Sequence, residues 1–173
     1  MDNRLKVILT REQIEEKVRQ LGKMISHDYR GEKPVLVSVL RGSVYFAVDL
    51  SRCLEIPFEL DFIGISRYGD KTDRLGIVRI TKDLDINIAG KHVIVIEDIV
   101  DTGLSLNYLL RNLKTRNPLS LKVCTFLNIE ARRIAQVPIA YSGFDLPDIF
   151  VVGYGLDYME EFRNLRHIAE FKK

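Results

Sequence analysis

Residues 91–114 read KHVIVIEDIVDTGLSLNYLLRNLK, and the fold turns on how this stretch divides. Val93, Ile94, Val95 and Ile96 form an unbroken β-branched run, which predicts a strand buried on both faces of a parallel sheet. The strand is expected to end before a loop carrying Glu97, Asp98 and Asp101, followed at once by Thr102, Gly103, Leu104 and Ser105. Beyond Gly103 the spacing changes. Leu106, Leu109, Leu110 and Leu113 recur at i, i+3, i+4 and i+7, the stripe of an amphipathic helix. The order is strand, acidic loop, helix.

A helix start offers backbone N–H groups without intrahelical partners and the positive end of the helix dipole, which suits a phosphate. Gly103 lets an anion approach the backbone, and Thr102 and Ser105 add hydroxyl donors. The three carboxylates would repel that phosphate unless each faces a donor or a cation. Ribose hydroxyls, a Mg²⁺ ion and a proton to be removed answer the conflict, and a sugar phosphate with a metal supplies all three. Rival phosphate motifs fail. GxxxxGK[ST] does not occur, Gly153 and Gly155 form a GxG without its third glycine, and Asp98 and Asp101 lie too far apart for a DxD phosphatase.

Composition narrows the classes further. With 46% hydrophobic and 29% charged residues the 173-residue chain is in the globular range, long enough for one sheet-centred core, and is expected to form a single domain over residues 1–173. A net charge of +2 is too balanced for a nucleic-acid binder that works by phosphate neutralisation. The N-terminal MDNRLKVILTREQ lacks the apolar core of about 7 residues of a secretory signal. No apolar run approaches the roughly 18 residues of a membrane span, so a cytoplasmic protein is expected. Cys53 and Cys124 each sit in an apolar pattern and read as reduced, buried thiols, and the three histidines show no metal spacing.

The flanking segments alternate between helix and strand. Thr10 with Gln13 matches a capping box, and Ile14, Val18, Leu21 and Ile25 continue one helical face towards Gly31. Residues 34–40 (PVLVSVL) read as a strand, Arg41, Gly42 and Ser43 as a tight corner, and Val44, Ala47, Val48 and Leu50 as the next helical stripe. Strands are predicted near 58–65, 77–81 and 121–127, with residues 141–144 short and extended and 149–152 the last apolar run. SRYGDKTDRLG (66–76) is polar enough to be a mobile loop. The pattern predicts an α/β fold with a mainly parallel sheet whose ligands gather at the carboxyl ends of the strands.

VIVIEDIVDTGLS resembles the signature of the type I phosphoribosyltransferases: a hydrophobic strand, two acids, two apolar residues, Asp, Thr, Gly and a hydroxyl residue. VSVLRGS (37–43), SRYG (66–69) and FVVGYGLDYMEEFRNL (150–165) resemble, in order, segments of the hypoxanthine-guanine members of that family. The resemblance implies a twisted parallel sheet flanked by helices, with a small hood made by the N- and C-terminal segments. It implies transfer of a phosphoribosyl group from phosphoribosyl pyrophosphate to hypoxanthine and guanine with Mg²⁺, in a homodimer or homotetramer. Asp101 would be the general base, while Glu97 and Asp98 face ribose and metal, and Thr102, Gly103, Leu104 and Ser105 hold the 5-phosphate. Arg41, Gly42 and Arg163 would meet pyrophosphate, and Phe150 and Val151 the purine, with Asp157 beside it assisting a second metal. Arg67 and Tyr68 would belong to a lid closing over the reacting ring.

Two positions depart from the pattern. Arg67 stands where the family has Ser before its lid Tyr, and Ile129 stands in the purine site where the family usually has a Lys that donates to the 6-oxo group. An aliphatic chain cannot donate, so preference among bases follows less directly than the transfer itself. Another base, such as xanthine, adenine or a pyrimidine, and a regulatory RNA-binding protein of the same fold remain the alternatives.

Overall fold

Strand β5 (His92–Val100) occupies the middle of the molecule, and a computed structural model describes residues 4–68 and 77–172 around it. Ahead of β5 come β1 (Leu5–Leu9), α1 (Arg11–Asp28), β2 (Val35–Leu40), α2 (Val44–Arg52), β3 (Glu59–Tyr68) and β4 (Ile77–Lys82). After it come α3 (Leu104–Lys114), β6 (Ser120–Asn128), a 3₁₀ turn (Glu130–Arg132), β7 (Ile139–Asp145), β8 (Val151–Val152) and β9 (Ile168–Phe171). The main sheet runs β4-β3-β2-β5-β6-β7, parallel throughout except for the antiparallel β3–β4 pair. A second, antiparallel sheet, β1-β9-β8, joins the two ends of the chain into the expected hood.

The β-branched run is buried on both faces because its side chains alternate between two cores. Val93 and Val95 pack with Val35, Val37 and the α3 stripe Leu106, Leu109, Leu110 and Leu113. Ile94 and Ile96 pack with Leu36, with Ile14, Val18, Leu21 and Ile25 of α1, and with Phe46 and Leu50 of α2. Each side chain of the run is fully buried, a gain of about 1.5–3 kcal/mol apiece over exposure. Three helices thus clamp the sheet from both sides.

Local signals explain most boundaries. The Thr10 hydroxyl accepts from the Gln13 N–H at 3.4 Å and the Thr10 N–H donates to Gln13 Oε1 at 2.8 Å, the reciprocal cap that opens α1. This helix stops at Asp28, short of Gly31, where the Tyr29 ring turns into the core and its N–H closes the last turn on Ile25 O. On α2 the buried face is Phe46, Ala47 and Leu50; Val48 is only half-buried, because the helix packs one residue round from the stripe expected. Cys124 is fully buried, but Cys53, at the end of α2, is only partly so.

The largest difference lies in β5 itself. The strand does not end at Ile96 but runs on through Glu97 and Asp98 to Val100, because β6 continues to pair with it: Glu97 opposite Thr125, Ile99 opposite Leu127 and Val100 opposite Asn128. Two of the three carboxylates therefore ride on rigid sheet. Only Asp101 belongs to the loop.

Candidate active site

The carboxyl end of β5 opens into a cavity of about 350 Å³. Glu97 and Asp98 enter from β5, Asp101 from the loop just beyond it, Arg41 and Gly42 from the corner after β2, and Asp157 and Arg163 from the segment after β8. Parallel strands explain this convergence, since β2 and β5 point the same way and deliver both corners to one rim.

Gly42 is required by contact. Any Cβ there would coincide with the Asp98 carboxylate, so the absent side chain is what lets the corner lie against the acid. Asp98 is fixed at its other oxygen by the Ile99 N–H, 2.9 Å from Oδ1. At the α3 start, Gly103 has φ 74°, a left-handed conformation, and offers no side chain to cap the helix. The loop is held from behind, where Thr102 O accepts the N–H groups of Ile134 and Ala135, each at 2.9 Å. The Thr102 hydroxyl lies 3.5 Å from Asp101 Oδ1.

Arg163 is pinned rather than loose. Its Nη1 donates to Gly155 O at 2.7 Å, and its Nη2 lies 2.6 Å from Asp157 and 3.4 Å from Glu160. Arg41 reaches across to the same Glu160 at 2.7 Å. Glu160 was not singled out from sequence; its signal was the E-x-x-R spacing to Arg163 inside a segment already quoted for other residues.

Other expected residues sit outside the cavity lining. Thr102 and Leu104 flank it on the loop and the first turn of α3, while Ser105 lines it. Phe150 is half-buried against Tyr158 and Phe171 at ring distances of 5.9 and 6.1 Å, and the Val151 side chain is buried. Ile129 has no exposed surface and its N–H is bound to Val100 O, so its side chain does not reach the cavity. The neighbouring Asn128 amide is committed to Asp145 at 2.8 Å. Arg67 and Tyr68 close β3, while the rest of the lid, 69–76, lies outside the described residues.

The sequence model of the "Phosphoribosyl transferase domain" matches residues 5–159. The chain belongs to the phosphoribosyltransferase family. A hypoxanthine-guanine phosphoribosyltransferase of Mycobacterium avium is 49% identical over 169 residues, covering 94% of this chain and 83% of the relative. One from Bacillus subtilis is 40% identical over 167 residues, covering 96% and 93%. Among solved structures, a hypoxanthine-guanine phosphoribosyltransferase from Bacillus anthracis superposes with a TM-score of 0.93 at 43% identity, covering 96% of this chain and 98% of that one. A hypoxanthine phosphoribosyltransferase from Staphylococcus aureus does so with 0.94 at 40%, covering 98% and 93%.

The acids of this phosphoribosyltransferase are held out of balance. Among the described residues Glu97, Asp98 and Asp101 form no ion pair, whereas Arg41 and Arg163 are both engaged by other carboxylates. Burial, together with the charges of Asp98 and Asp101, pushes the Glu97 carboxyl well above its usual range. Burial also pushes Asp98 up to about 6, against the pull of its backbone hydrogen bonds.

A carboxyl raised on folding binds its proton more tightly in the native state. Its contribution is intact below the unfolded value, near 4, and is lost as pH rises through about 6. The unliganded protein should therefore lose on the order of 2 kcal/mol across that window through Asp98. Asp98→Asn, which keeps the bond from Ile99, should match the parent's unfolding midpoint at pH 4 and exceed it at pH 8. Parallel melting curves across the range would refute this.

Proposed function

We propose that this phosphoribosyltransferase transfers the 5-phosphoribosyl group of phosphoribosyl pyrophosphate to hypoxanthine and guanine, forming IMP or GMP and releasing pyrophosphate. The observation that carries the reading is one cavity with two chemistries: carboxylates at the end of β5 and guanidinium groups on the two loops facing them. The names of the relatives support the choice of bases.

In this reading the 5-phosphate lies on the turn 101–105, where α3 starts without a side-chain cap and the first-turn amides and the Thr102 and Ser105 hydroxyls donate. Glu97 and Asp98 accept from the ribose hydroxyls. Arg41 and Arg163 hold the pyrophosphate while its bond to C1 breaks and the bond from purine N9 to C1 forms, and Asp101 accepts the proton shed from N7. Phe150 stacks on the purine and Val151 offers backbone groups to its edge. Arg67 and Tyr68 begin the lid that excludes water.

The donor set fits a hard divalent cation shared with the substrate. Among the described residues no three His, Cys, Asp or Glu side chains converge as a cage, which leaves one or two carboxylates from Glu97, Asp98 and Asp157 with substrate oxygens completing the shell. Bound Mg²⁺ would neutralise charge on the leaving pyrophosphate. We further place the enzyme in the cytoplasm as a homodimer or homotetramer. Among the described residues no helix is long and apolar enough to cross a membrane.

A steady-state panel of hypoxanthine, guanine, xanthine, adenine and uracil, read as pyrophosphate release, tests the assignment. Hypoxanthine and guanine should lead by about tenfold or more in kcat/KM. Adenine or uracil in first place would overturn the choice of base, and no release with any of them would overturn the transfer.

A further inference from the structure

We propose that the Glu160 carboxylate is an internal stand-in for pyrophosphate, bridging the two arginines and giving way when substrate arrives. The idea rests on the pyrophosphate role of Arg41 and Arg163 given above. The two arginines, one of them 119 residues from Glu160 in sequence, meet on this one carboxylate: Arg41 Nη2 at 2.7 Å from Oε1 and Arg163 Nη2 at 3.4 Å from Oε2. A group that bridges two cations through its two oxygens presents the charge and the donor-facing geometry of a phosphate edge.

Three features make the contact displaceable rather than permanent. Both partners of the longer-range pair are largely exposed, 70% for Arg41 and 60% for Glu160, so the pair is weak and screened by solvent. Asp157 separately anchors the loop, accepting from the Glu160 N–H at 2.9 Å and pairing with Arg163 at 2.6 Å, so releasing the Glu160 side chain leaves Arg163 in place. Met159, Glu160 and Phe162 have φ of 53°, 67° and 75°, conformations that side chains adopt at a cost, so the Glu160 contact is made from a strained segment and its loss is partly offset by relief of that strain. Glu160 then competes with incoming pyrophosphate for both guanidinium groups and re-enters when it leaves. It acts through the arginines and is a positioning residue.

Titration calorimetry of the full chain with Mg²⁺-pyrophosphate, comparing the parent with Glu160→Gln and Glu161→Gln, decides the matter. Glu161 supplies the same charge change on the same loop without pairing to either arginine. Glu160→Gln should tighten pyrophosphate about two- to fivefold, with Glu161→Gln at the parent value and the gap closing as KCl screens the pairs. Pre-steady-state turnover should show slower pyrophosphate release in Glu160→Gln at an unchanged rate of the chemical step. Equal tightening in both variants would mean a general field effect and would overturn the proposal. So would weaker binding in Glu160→Gln, which would make the carboxylate a ligand of the bound state. If the parent binds pyrophosphate and neither variant differs, Glu160 is no competitor and the function stands. If none of the three binds it, the pyrophosphate role of the arginines fails and this proposal with it.

Discussion

Asp101→Asn should lower turnover with hypoxanthine by on the order of 10²-fold or more while phosphoribosyl pyrophosphate still binds within a few-fold of the parent. Asn matches Asp in shape, and Asp101 forms no ion pair among the described residues whose loss would disturb the loop. What the amide cannot do is accept a proton at the purine. Glu97 and Asp98 cannot take its place, because both are held on β5, Glu97 by its pairing with Thr125 of β6, whereas Asp101 stands on the loop beyond Val100. A single-turnover assay with the variant settles the point: an undiminished rate of bond formation would remove Asp101 from the proton step.

Gly103→Ala should cost about 3 kcal/mol of stability and abolish binding of the 5-phosphate. A left-handed alanine alone costs about 1–2 kcal/mol, and the residue has φ 74°. Its new methyl would also run into Ala135 O. That carbonyl cannot withdraw cheaply, because the Ile134 and Ala135 amides are both bonded to Thr102 O, tying the two loops together. At about 2–4 °C per kcal/mol for a chain of this size, the melting midpoint should fall by roughly 6–12 °C. A variant that melts with the parent would show that the loops do not meet as described.

Much of this was legible in the chain. The run 93–96 has no polar interruption, so a strand covered on both faces was its only comfortable fate, and the leucine spacing after Gly103 admitted only a helix. Where the strand would stop was not legible. Acids at 97 and 98 read as a loop because charged side chains rarely enter a buried sheet, and the pairing of Glu97 with Thr125 comes from a segment 28 residues on. The hood was foreseen from the resemblance, but its strands were not: Leu5–Leu9 and Ile168–Phe171 are short and find each other only across the whole chain. Glu160 is half-legible for a similar reason: its E-x-x-R spacing marks the pair with Arg163, but the bridge forms only when Arg41 is folded against it.

The placement of Glu97 and Asp98 on β5 sets how the molecule breathes. Residues 93–96 are bonded to β2 on one side and β6 on the other, so their amides open to solvent only when the sheet itself comes apart. The guanidinium groups belong to a corner and to a terminal loop with no such ladder. The protein therefore carries two of its acids, Glu97 and Asp98, on the continuation of its most securely bonded strand, and its two guanidinium groups on loops. A shift of the exposed Arg41 corner would leave the strand that holds Glu97 and Asp98 in place.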